Sequence, residues 1–295
     1  MYEQYFGFAE KPFSLTPDPK YLYRSESHAN AFELLQYALD RREGFVVITG
    51  DIGTGKTTLC RALLDQTDKK TFTALLLNPF LSEEDLLKAV LHDLGVLSRG
   101  DERRSFRQPS KQELINTLHD FLLSLVPLGA RAVLIIDEAQ NLPLSILEQV
   151  RILSNLETDK EKLLQIILVG QLNLVPLLRS PELRQLDQRI TIRYQLEPLS
   201  EEEVAAYIAH RLTIAKPTRP VTFTPKAVEL VHRYSAGIPR LINMLCDRAL
   251  LNAFSAQTPR VEPHMVDAAA EGLELVTPVP EARSWFGRLL RSGAR

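Results

Sequence analysis

The sequence predicts a parallel α/β sheet followed by a small helical domain, and three observations carry that prediction. Short apolar runs alternate with amphipathic stretches from residue 45 to residue 196, the pattern of strands buried on both faces beneath helices. A glycine-rich stretch, "GDIGTGKT" at residues 50–57, stands between one apolar run and the next amphipathic one. Near Pro198 the alternation stops, and only helical patterns follow.

Taken in order, residues 1–24 are crowded with aromatics and prolines, among them Tyr5, Phe6, Phe8, Phe13, Pro12, Pro17 and Pro19. Proline lacks the N–H and clashes with the preceding turn, so no long helix forms there. The stretch reads as an arm packed over a domain. Ser25 caps a helix that runs to about Arg42, with Gly44 to end it. "FVVIT" is a buried strand, and "TTLCRALLDQ" continues as helix after the glycine-rich loop. "TALLLN", "AVLIID", "LQIILVG" and "ITIRYQL" supply the other four strands. Helices fall between them over "SEEDLLKAVLHDLGV", "KQELINTLHDFLLSLV" and "LSILEQVRILSNL", with a short one over "LVPLLRS". This defines an α/β domain over 25–197. Within it, the polar, charged stretch 98–110 reads as a loop.

Beyond Pro198, Ser200 and Glu203 form a capping box, and Val204, Tyr207, Ile208 and Leu212 then share one helical face. "TPKAVELVHRYSAG" opens with a Thr cap and a Pro at the first helical position, and closes at Gly237. Two more helices complete an all-helical domain over 198–275. Residues 276–295 read as a linker and a basic amphipathic tail. Trp285, Phe286, Leu289 and Leu290 can share one face of that tail, and Arg288, Arg291 and Arg295 another. A peripheral membrane or partner contact through 283–295 and a frayed end are equal readings.

The net charge of −2 over 295 residues argues against bulk electrostatic binding to nucleic acid, though not against a local basic patch. Cys60 and Cys246 lie far apart without metal-ligand neighbours, and read as small core hydrophobes in a reduced compartment. The N-terminus lacks the basic start and apolar core of a signal peptide, and no run reaches the roughly 18 apolar residues of a membrane span. A cytoplasmic protein is expected.

The glycine-rich stretch matches G-x-x-x-x-G-K-[ST] in full and lies between strand and helix, as that motif requires. Gly50, Asp51, Ile52, Gly53, Thr54, Gly55, Lys56, Thr57 and Thr58 are therefore expected to cradle the phosphates of ATP or ADP. Backbone N–H groups and the helix N-terminus face the anion. Lys56 neutralises the β- and γ-phosphates, and the Thr57 hydroxyl ligates Mg²⁺. Asp137, ending the apolar run "AVLIID", is the second Mg²⁺ partner. Glu138, one residue on, is placed to polarise an attacking water. Consecutive acids suggest hydrolysis. A guanine-reading Asn-Lys-x-Asp element is absent, which excludes a signalling GTPase, and the helical second domain argues against a small-molecule kinase. Arg240, at a helix start in "SAGIPRLINMLCDRAL", is placed to reach the γ-phosphate and couple nucleotide state to the helical domain.

Together these residues resemble the AAA+ ATPases. "FGFAEKPFSLTPDPKYLYRSESH", "GFVVITGDIGTGKTTL" and "LIIDEAQNL" are similar more narrowly to the general secretion pathway protein A family, over roughly residues 1–275. The resemblance implies further roles. Asn78 would restrain the catalytic Glu, although a plain turn before Pro79 explains it nearly as well. Gln171 would occupy the polar sensor position, where Asn or Thr is usual. Arg184 and Arg189 lie where an arginine finger is expected, with Arg189 preferred for its place at a strand entrance. Phe80 follows the second strand, where ring ATPases present substrate loops, but a core position suits it better. The resemblance also implies a ring or filament of identical subunits and a partner in an envelope secretion, pilus or polysaccharide-export system. The alternative is an ATP-dependent DNA-binding regulator of the TniB/TnsC transposition type. The membrane helix and peptidoglycan-binding domain of many secretion-type members are not found, so direct cell-wall binding is not expected.

Overall fold

The computed structural model describes residues 2–77, 82–98, 109–159 and 161–275. Asn78, Phe80, most of the 98–110 stretch and the 276–295 tail lie outside them. In chain order the described elements begin with α1 (Tyr2–Phe6), α2 (Glu26–Asp40), β1 (Phe45–Gly50), α3 (Lys56–Gln66), β2 (Thr71–Leu76), α4 (Glu83–Asp93) and α5 (Lys111–Leu125). There follow β3 (Arg131–Ile136), α6 (Leu144–Leu153), β4 (Leu164–Gly170), α7 (Leu174–Leu178), α8 (Arg184–Asp187) and β5 (Ile192–Leu196). The chain closes with α9 (Glu201–Ile214), β6 (Thr222–Phe223), α10 (Pro225–Ser235), α11 (Pro239–Ser255), β7 (Arg260–Val261) and α12 (Pro263–Gly272).

Two compact units divide the chain: residues 17–197, and residues 1–16 together with those from 198 onward. In the first, five parallel strands run in the order β2-β3-β4-β1-β5. Strands β1 and β4 are buried at every position. Side chains alternate across a strand, so their apolar runs feed two cores. Phe45, Val47, Leu134, Ile136, Ile166 and Leu168 pack with Leu86, Leu118 and Leu147 from the helices on one face. Val46, Ile48, Val133, Ile135, Ile167 and Val169 pack with Leu35, Leu59 and Leu63 on the other. Each buried side chain of this size contributes about 1.5–3 kcal/mol. Strand β2 begins at Thr71, two residues before the apolar run, because its ladder to β3 already pairs Thr71 with Arg131.

Local chemistry departs from expectation after α2. The left-handed residue there is Arg42, with φ 55°, and not Gly44. The Arg42 guanidinium hydrogen-bonds Glu161.

In the second unit, α9, α10, α11 and α12 carry the fold, joined by a parallel pair of two-residue strands, β6 and β7. The helical domain expected after Pro198 is found, with that short pair added to it. The sequence predicts an arm over 1–24 packed on a domain. Its first part begins with a helical turn, α1, and belongs to the helical unit, where Phe6 and Phe13 are buried. Arg211, buried on α9, donates from Nε to the Pro12 carbonyl at 2.7 Å and from Nη2 to the Ser14 carbonyl at 3.2 Å. Its Nη1 reaches the Tyr207 hydroxyl at 2.8 Å, which donates to Asn243 Oδ1 at 2.9 Å. Residues 17–24 belong to the α/β unit, where Arg61 holds the Pro17 carbonyl at 3.0 Å. Both cysteines are free and buried, and burial raises both thiol pKa values.

Candidate active site

The glycine-rich loop leaves the buried end of β1 and enters α3. Gly53 and Gly55 take φ of 86° and 103°, a backbone region that side chains disfavour. Gly50 is needed for closeness: a Cβ there would lie 2.9 Å from the Leu196 carbonyl and 3.0 Å from Thr54 Oγ1. Thr54, fully buried, donates from Oγ1 to the Asp51 carbonyl at 2.9 Å and so closes the loop on itself. Gly55 sits at the N-cap of α3, and no side chain caps that end. The first N–H groups of the helix are therefore left for an anion.

Lys56, buried at the first position of α3, donates from Nζ to the carbonyls of Gly50 at 2.9 Å and Asp51 at 2.7 Å. Burial pulls its pKa below the ordinary value, opposed by the carboxylates of Glu138, Asp137 and Asp51. The ammonium is thus held beside the loop, with no direct ion pair among the described residues. Asp51 and Ile52 are exposed at the tip of the loop, and Thr58 follows on α3.

Asp137 continues β3, and its N–H donates to the Leu76 carbonyl of β2 at 2.9 Å. Thr57 Oγ1 donates to Asp137 Oδ2 at 2.5 Å. Asp137 Oδ1 accepts the Glu138 N–H at 2.9 Å. The hydroxyl and the carboxylate meet, as two hard oxygen donors must to share one Mg²⁺. Among the described residues no group of three or more His, Cys, Asp or Glu is arranged to hold a metal. The residues present fit a nucleotide with Mg²⁺: an amide-lined loop, a buried ammonium and a paired hydroxyl and carboxylate.

Glu138 takes a left-handed conformation, φ 53° and ψ 36°, a strain of about 1–3 kcal/mol of the kind kept at functional positions. Two amides hold its carboxylate. Gln140 Nε2 donates to Oε2 at 2.6 Å, and Gln171 Nε2 to the same oxygen at 3.3 Å. Gln140 also accepts the Gln171 N–H on Oε1 at 3.0 Å, which ties the end of β4 to the carboxylate. Gly170 makes room for this: a Cβ there would sit 2.7 Å from Gln140 Oε1. Gln171, expected at the polar sensor position, stands beside Glu138. Sequence reasoning missed Gln140, although its place two residues after Glu138 in "DEAQ" was a usable signal.

The arginines separate. Arg189 Nη1 donates to Ser154 Oγ at 2.5 Å and to the Arg151 carbonyl at 3.3 Å, closing the C-terminal end of α6. This internal engagement of the Arg189 guanidinium weighs toward Arg184 as the finger, the residue proposed for that role below. Arg184 opens α8 and is exposed. Asp187, also on α8, accepts from Arg193 at 2.8 Å. Arg240 is exposed in the first turn of α11.

A β2-β3-β4-β1-β5 parallel sheet that presents a phosphate loop and an acidic strand end, in a chain with a helical unit, defines the AAA+ class of P-loop ATPases. The family model for the AAA domain matches residues 39–178. The chain is 47% identical over 261 residues to general secretion pathway protein A of Aeromonas hydrophila, covering 88% of this chain and 46% of that one. It belongs to the AAA+ ATPases akin to that protein, and spans about half of that relative's length. Solved structures agree on the fold. The ORC2 protein of Aeropyrum pernix, in ADPNP–ADP complexes, matches 92% of this chain and 73% of its own at 16% identity and a TM-score of 0.68. The RuvB Holliday junction branch migration motor of Thermotoga maritima matches 85% of this chain and 70% of its own at 22% identity and a TM-score of 0.55. Among the described residues, no helix is long and apolar enough to cross a membrane.

Proposed function

We propose that the protein binds ATP with Mg²⁺, hydrolyses it to ADP and phosphate, and uses the cycle to drive or gate assembly of an envelope secretion, pilus or polysaccharide-export system. The observation that carries the chemistry is the meeting of Thr57 Oγ1 and Asp137 Oδ2 beside an amide-held Glu138. The loop amides and Lys56 bind and orient the phosphates. Thr57 and Asp137 would hold Mg²⁺, which would supply charge neutralisation at the phosphates. Glu138 takes the proton of the attacking water, with Gln140 and Gln171 setting the direction of its carboxylate. The biological setting rests on the relative named general secretion pathway protein A.

In this reading the protein works in the cytoplasm as a homo-oligomer. Arg184 of a neighbouring copy completes the γ-phosphate site, and Arg240 reports nucleotide state to the helical unit. Asn78 remains a proposed restraint on Glu138, and the 283–295 tail a proposed membrane or partner contact. Electron microscopy of the protein with ATP, ADP and no nucleotide, each with and without duplex DNA, tests the assembly. Closed rings or filaments that need ATP alone support this reading. Assembly only on DNA, lost at raised salt, supports the DNA-bound regulator instead.

A further inference from the structure

Beneath the phosphate loop lies a buried histidine that the chemistry above does not use. His28 belongs to "SESH", the end of the N-terminal signature, and is 3% exposed. Its Nε2 is 3.0 Å from the Thr54 carbonyl oxygen. A carbonyl can only accept, so Nε2 carries the proton. In the neutral ring Nδ1 is then an acceptor, and it lies 2.7 Å from Ser25 Oγ, whose hydroxyl donates to it. Ser25 Oγ in turn accepts the His28 N–H at 3.2 Å as the N-cap of α2. The ring is thus fixed at both nitrogens and aimed at one peptide of the loop.

That peptide joins Thr54 to Gly55. It is trans, like every peptide bond described, so its C=O and N–H point in opposite directions. Holding the Thr54 oxygen against the buried ring turns the Gly55 N–H away from it. Gly55 also has little freedom to be another residue. Its φ is 103°, and a Cβ would lie 3.0 Å from His28 Nε2.

We propose that His28, set by Ser25, is a positioning residue for nucleotide binding: a strut that locks the Thr54–Gly55 peptide so that the loop is preorganised for phosphate. The proposal rests on the nucleotide reading above. Without the strut the peptide can rotate, and binding must then order it. The effect falls on affinity and leaves turnover at saturation largely intact, because Glu138 and its amides are untouched.

The test is titration of a fluorescent N-methylanthraniloyl ATP with Mg²⁺, together with steady-state kinetics, on His28→Gln and His28→Asn. Gln can present an amide donor near the place of Nε2, whereas Asn is one methylene too short to reach Thr54. His28→Asn is expected to weaken binding and raise KM about three- to tenfold, the scale of one buried neutral hydrogen bond, with kcat within about twofold. His28→Gln is expected to recover most of the loss. Thermal melts of both variants separate this from unfolding, since both are polar and of similar size. Equal affinity in Gln, Asn and parent overturns the strut, as does an Asn variant that loses kcat at unchanged KM. Lys56→Ala in the same titration reads the site itself: if it binds as the parent does, the nucleotide assignment fails, whatever the His28 series shows.

Discussion

Gln140 offers a perturbation whose size can be worked from the coordinates. Its amide gives Glu138 Oε2 the shorter of two hydrogen bonds, 2.6 Å against 3.3 Å from Gln171. Gln140→Ala leaves the carboxylate on the long bond alone and removes the link from the Gln171 N–H. A hydrogen bond to a charged group contributes about 1.5–3 kcal/mol. At about 1.4 kcal/mol per factor of ten, misdirecting the base through that loss lowers kcat about 10- to 150-fold. That range overlaps only the lower end of the loss expected for removing the base itself, about 10²–10⁴-fold. Because the hydrogen bonds of Gln140 run to Glu138 and Gln171, KM for ATP and nucleotide affinity are expected to remain those of the parent. Coupled-enzyme ATPase kinetics and equilibrium ATP titration on the same preparation give both quantities. Gln171→Ala, losing the weaker bond, is expected to cost less. A Gln140→Ala variant that turns over faster than the parent refutes the orienting role, because the two amides would then be restraining Glu138. A variant that loses ATP affinity in proportion to its rate refutes it equally.

Three other expectations follow from packing and charge. Gly237→Ala puts a Cβ 2.0 Å from the Leu199 carbonyl at φ 74°, where Leu199 N–H already bonds the Gly237 carbonyl at 2.9 Å; denaturant titration should show a loss of about 2–4 kcal/mol. Arg184→Ala should bind ATP yet be inactive alone, and regain part of its activity when mixed with Lys56→Ala. Arg189→Ala should instead lower the melting temperature through the loosened end of α6, and the reverse pattern would restore Arg189 as the finger. Burial, and then the neighbouring Arg211, push the His210 pKa below its ordinary 6.5. The folded state therefore binds fewer protons than the unfolded one, and this contribution to stability is lost as pH falls through 6.5 toward the lowered value. His210→Gln should flatten that part of the stability–pH curve.

The α/β unit was legible because its signals are local. Runs such as "FVVIT" and "LQIILVG" are buried at every position, and the loop and "DEAQ" are short motifs in the context they require. What escaped depends on where distant segments meet. His28 is separated from Thr54 by 26 residues, and nothing in "SESH" shows that its ring faces the loop. Arg189 lies at a strand entrance as read, but its partners, Ser154 and Arg151, lie 35 and 38 residues away. The N-terminal aromatics were recognised as packing residues. Residues Pro12 and Ser14 beside them are held by a buried cation on α9, Arg211, which a helical pattern does not reveal. Strands β6 and β7, of two residues each, are too short for any periodicity to register.

The central claim is that this chain hydrolyses ATP with Asp137 and Thr57 on Mg²⁺ and Glu138 as base. Single-turnover hydrolysis of radiolabelled ATP by the parent and by Glu138→Gln, each with Mg²⁺ and with chelator, addresses it most directly. The account predicts Mg²⁺-dependent release of phosphate by the parent. It predicts that Glu138→Gln, with its metal partners intact, still binds ATP but turns over about 10²–10⁴-fold more slowly. Hydrolysis by Glu138→Gln near the parent rate, or hydrolysis by the parent indifferent to chelator, contradicts it.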